Sequence, residues 1–167
     1  MQPPLLPDET LQRVLRLARA DGLGVLIVAT FFALTSAAIG DLTGAVVWLL
    51  VGGAGASELH GGVLLRGGEA RGLSWIVASQ FLLLFVVAVH CALRLSHYDA
   101  TLMREALTPE MKATVAQAEI KEEDFLRLVY NTTYTAIAGV TLLYKGGLAL
   151  YFHRRRQAVA AALALGD

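Results

Sequence analysis

The chain has 167 residues, of which 56% are hydrophobic, with 14 basic and 14 acidic residues in formal balance and a mean hydropathy of +0.57. This is too apolar for an ordinary soluble domain. The single cysteine, Cys91, excludes an internal disulfide, and no Gly-rich phosphate loop, serine nucleophile motif, HExxH pair or nucleic-acid signature occurs.

Charges avoid four stretches: Gly22–Gly40, Leu42–Leu65 except Glu58, Gly72–Leu93, and Val129–Phe152 except Lys145. Each reaches the roughly 20 residues that a helix needs to cross a hydrocarbon core of about 30 Å. The expectation is an all-α chain, one integral membrane domain over 1–167. It is a four-transmembrane-helix bundle with spans at about 22–40, 42–65, 72–94 and 129–152. None of the four prolines falls inside a span, so backbone hydrogen bonds stay internal, as lipid requires. Runs such as FLLLFVVAV lack the alternation of a transmembrane barrel.

Ahead of span one, Pro7-Asp8-Glu9-Thr10 reads as a helix start. Leu11, Val14, Leu15 and Ala18 recur at helical spacing, with Arg13 and Arg16 away from them. This predicts a short amphipathic N-terminal helix in the inner interface, anchoring span one. Span one reads as an anchor rather than a cleaved leader: its apolar region is long, and Asp8, Glu9 and Asp21 precede it. Span two is rich in small residues, and Gly53, Ser57 and Gly61 form a small-xxx-small series suited to close helix packing. Between spans three and four, residues 96–128 form an extracytoplasmic helical segment. Thr108-Pro109-Glu110 starts one outer helix, with threonine as N-cap and proline at the first helical position. Lys121-Glu122-Glu123-Asp124 starts a second, which runs into span four. The alanine-rich tail, 157–165, continues the last helix.

Eight of the 14 basic residues flank one side: Arg13, Arg16, Arg19, Arg66, Arg71, Arg154, Arg155 and Arg156. By the positive-inside rule both termini are cytoplasmic, in a multi-pass protein of the cell membrane. The opposite face is acidic, and Glu119, Glu122, Glu123 and Asp124 form a candidate outer mouth that concentrates cations.

The polar groups inside the spans carry the functional reading, because a charge near the bilayer centre costs a few kcal/mol even on lenient scales. Glu58 lies eight residues from Arg66 and Lys145 eight from His153, so both sit about 12 Å inside the membrane. Gln80 lies nine residues beyond Arg71, with Ser79 beside it, and Thr30 nine beyond Asp21, both at about 13 Å. With His60 at about 9 Å, these residues form one intramembrane polar layer. Either Glu58 pairs with Lys145 and locks spans two and four, with Gln80 and Thr30 hydrogen bonding, or the layer lines a hydrated path in which Glu58 takes a cation or proton. The histidines lack the spacing of a metal or haem site, and no metal or cofactor is expected. Trp48, Trp75, Tyr130, Tyr134 and Tyr151 read as interfacial belt residues.

Two functions follow. The first is a homo-oligomeric ion channel or small transport protein, with no catalytic residues and the lipid bilayer as its surroundings. The second is a non-transporting scaffold or accessory subunit that binds a membrane-protein partner through its outer helices or N-terminal helix.

Overall fold

The computed structural model describes residues 7–165. Among the described residues all regular structure is helical: α1 (Pro7–Ala38), α2 (Leu42–Arg66), α3 (Arg71–Ser96), α4 (Thr101–Glu105), α5 (Pro109–Gln117) and α6 (Glu122–Ala164). Four of them, α1, α2, α3 and α6, are long and apolar enough to cross a membrane. The N-terminal helix and span one are a single helix of 32 residues, so the expected short element is the first half of α1. Thr10, Val14 and Ala18, on its apolar face, are buried. The two helices expected between spans three and four begin where their start signals predict. Thr108 accepts from the Met111 amide with Pro109 in the first turn, and α6 opens on Glu122, Glu123 and Asp124. The five-residue α4 has no counterpart in the sequence reading. As expected, α6 carries on through the alanine-rich tail.

Helix ends follow local chemistry. After α1, Gly40 takes a positive φ of 79°, a conformation open to glycine at little cost. Asp41 then caps α2, its carboxylate accepting from the Gly44 amide at 2.9 Å.

The fold divides into two compact units. One holds α1, α2, α3 as far as Val86 and α6 from Leu142. Its core is contributed by all four helices: Val14, Leu15 and Ala18 from α1, Leu65 from α2, Leu73 and Ile76 from α3, and Leu148, Phe152 and Val159 from α6. In α1 the buried residues include Thr10, Val14, Ala18 and Asp21, and in α2 Val51, Ala54, Glu58, Gly61 and Leu65. Both follow the three-or-four-residue spacing of one helix face. Large apolar side chains such as Phe31, Leu34 and Leu143 point outward, Leu143 being 79% exposed. Charged groups within and hydrocarbon groups without is the arrangement expected of helices solvated by lipid.

The second unit covers Val87–Thr141. Tyr130 is buried there, its hydroxyl donating to the Arg94 carbonyl at 2.9 Å, which makes it a tie between α6 and the end of α3 and not a belt residue. Asp99 accepts from the Thr101 hydroxyl and amide at 2.6 and 3.0 Å. Those hydrogen bonds hold its carboxyl below the ordinary carboxylate range.

Close packing in the first unit is made at glycines. A Cβ on Gly61 would stand 2.6 Å from the Gly72 carbonyl oxygen, and one on Gly55 2.9 Å from that of Gly22. Of the small-xxx-small series only Gly61 serves this contact. Gly53 faces open space, and the Ser57 hydroxyl donates to the Gly53 carbonyl of its own helix at 2.8 Å. Gly61→Ala is therefore expected to destabilise the protein by about 1–3 kcal/mol through forced helix separation. Gly53→Ala is expected to stay within about 0.5 kcal/mol of wild type; thermal unfolding in one detergent compares the two.

Candidate functional site

Each helix of the first unit carries a polar group on its buried face: Asp21 on α1, Glu58 on α2, Ser79 and Gln80 on α3, and Lys145 on α6. Local sequence explains how they meet. Gly22, next to Asp21, touches α2 at Gly55, three residues before Glu58. Gly61, three residues after Glu58, touches α3 at Gly72. Backbone contact on both sides of Glu58 draws α1 and α3 inward, and the polar side chains converge between the helices.

The centre of the cluster is an ion pair. Lys145 Nζ donates to Asp21 Oδ2 at 2.5 Å, with both side chains 5% exposed. The Tyr144 hydroxyl donates to Asp21 Oδ1 at 3.1 Å, so both Asp21 oxygens are engaged. Glu58, 2% exposed, faces Asp21, Lys145 and Gln80. Ser79 donates to the Ile76 carbonyl at 2.8 Å and stands 3.5 Å from Gln80 Nε2. Among the described residues Glu58 Oε1 and Gln80 Oε1 are buried with no hydrogen-bond partner.

The expected layer is corrected at three places. Lys145 pairs with Asp21 and not with Glu58. Thr30 is exposed, its hydroxyl donating to the Leu26 carbonyl of its own helix at 2.8 Å. Because α1 begins at Pro7, Asp21 lies inside a continuous helix and not at its end. His60 is also exposed, its ring edge-on to Trp75 at 5.3 Å. Sequence reasoning missed Asp21 and Tyr144. Asp21 was within reach of it, since it stands in register with Val14 and Ala18 on the apolar stripe of α1.

The acidic residues expected at an outer mouth lie in the second unit. Glu122 and Glu123 pair with Arg104 at 3.7 and 2.5 Å, while Glu119 and Asp124 are exposed. Arg104 thus offsets part of this group's charge, and such exposed pairs contribute little to stability. Among the described residues no group of three or more His, Cys, Asp or Glu is placed to hold a metal ion.

The cluster can hold a charge in an apolar interior and offers two acceptor oxygens beyond the ion pair. Removing one partner of a buried pair leaves the other uncompensated, so Lys145→Met is expected to cost about 3–5 kcal/mol. The double change Asp21→Asn with Lys145→Met should cost less than Lys145→Met alone, because it removes both charges together. Denaturant unfolding in detergent, run as a double-mutant cycle, measures the difference.

Comparison with known protein families, with curated proteins and with solved structures finds no match for this chain.

Proposed function

We propose that the chain is a small transport protein or channel of the cell membrane, working as a homo-oligomer, that moves a small cation by way of the buried polar cluster. Both termini are cytoplasmic in this reading, from the distribution of arginine and lysine. The observation that carries it is the cluster's composition. Asp21, Glu58 and Lys145 are all buried in one place, and with each in its ordinary ionised form they sum to a formal charge of −1. A buried excess negative charge is costly unless a cation meets it, so the cluster is suited to take up positive charge from either side of a membrane. Glu58 is the binding group, since Asp21 is occupied by Lys145 and Tyr144. Four helices enclose little volume, which favours assembly of several subunits.

A second reading has its own observation. The Asp21 to Lys145 pair joins α1 to α6 and would serve equally in a membrane scaffold that binds a partner protein. The two readings differ over Glu58, whose burial such a scaffold does not require.

Flux through liposomes containing only the purified protein separates them. Wild type is expected to pass cations, and Glu58→Gln to reduce the flux by about tenfold or more, equivalent to about 1.4 kcal/mol on the barrier. Flux that is absent from well-inserted wild type, or unchanged in Glu58→Gln, sinks the transport reading.

A further inference from the structure

Asp21 and Glu58 are both buried, on helices whose backbones meet at Gly22 and Gly55, and both face Lys145. Two carboxylates brought close in an apolar interior repel, and like charges there do not both stay ionised. Among the described residues, the groups facing them are the Lys145 ammonium and the Tyr144 phenol from α6 and the uncharged Gln80 from α3. One ammonium against two carboxylates leaves one negative charge over.

Hydrogen bonds identify which carboxyl differs from the other. Asp21 receives a donor on each oxygen, Lys145 on Oδ2 and Tyr144 on Oδ1, as a carboxylate does. Glu58 Oε1, among the described residues, receives none. A buried carboxylate oxygen without a donor is costly, whereas a protonated carboxyl needs fewer donors and supplies one itself.

We infer that the Asp21 and Glu58 pair holds one proton, carried on Glu58 and donated to the Asp21 carboxylate, and that this proton is the cargo of the cluster. The second half rests on the transport reading; the first stands without it. Release breaks the Glu58 O–H bond, leaves the electron pair on Glu58 and passes the proton to water. Uptake is the reverse, and Lys145 keeps Asp21 as the fixed counter-charge throughout.

Charge balance then sets the number of buried protonated carboxyls as carboxyls minus ammonium groups. That number is one in wild type, none in Asp21→Asn or Glu58→Gln, and two in Lys145→Met. Infrared spectroscopy of the full chain in lipid reads it directly through the C=O stretch of a protonated carboxyl. The expected result is a wild-type band that is lost in both carboxyl variants and about twice as intense in Lys145→Met, the three groups behaving as one coupled unit. The band should not respond to Na+ or K+ at constant pH. A wild type without the band, a band that survives in both carboxyl variants, or one that Na+ or K+ removes at constant pH overturns the inference. The wild-type measurements need no variant to fold. Proton flux in liposomes is measured on the same preparations. The expected band pattern with no flux of any cation overturns the assignment as cargo, while flux of Na+ or K+ without the band overturns the proton and leaves transport standing.

Discussion

A charge buried among apolar helices must find its opposite, and the pairing of Asp21 with Lys145 is the constraint around which the first unit is arranged. The two residues are 124 positions apart in the chain, so their contact fixes the rotation of both α1 and α6. With Asp21 turned inward, Val14 and Ala18 face the core on the same stripe. With Lys145 turned inward, Leu148 and Phe152 do likewise. One polar contact and the apolar core are therefore two expressions of the same helix orientation. Breaking such a pair on one side is far more harmful than never having had it.

Glycine supplies the geometry that charge alone does not. Gly22 against Gly55 and Gly61 against Gly72 set backbones in contact on either side of Glu58. Between lipid-solvated helices close packing does the work that hydrophobic burial does in water. Side chains at these points would separate the helices and open the space where the polar groups meet. The same approach leaves Phe85, Leu143 and other large apolar groups on the outside, 67% and 79% exposed, where hydrocarbon can cover them.

Much of this was legible from charge spacing. Four long apolar helices, the cap at Thr108, the start of α6 near Glu122 and its continuation into the tail all follow from composition and local signals. Depth counting also brought Glu58, Ser79, Gln80 and Lys145 to one level, and all four are buried in the same unit. Rotation was not legible, because residues at equal depth can face opposite ways. Thr30 turns outward and bonds its own backbone, and His60 stands against Trp75 at the surface. Asp21 was hidden by an assumption about boundaries. An acidic residue at the edge of an apolar run looks like the end of a span, yet α1 extends 14 residues before it. The glycine contacts escaped for a similar reason, since spacing identifies small residues without saying which face meets a neighbour.

The ion pair also imposes an order on how the chain is completed. Asp21 is made early and Lys145 late, so a nascent chain entering a membrane helix by helix carries an uncompensated acid in its first span until its last span arrives. The helices made before α6 form an unfinished structure whose defect is electrostatic and is repaired in a single step, when α6 docks. A chain interrupted before Lys145 would retain that exposed liability, a natural mark by which cellular quality control could tell incomplete copies from finished ones.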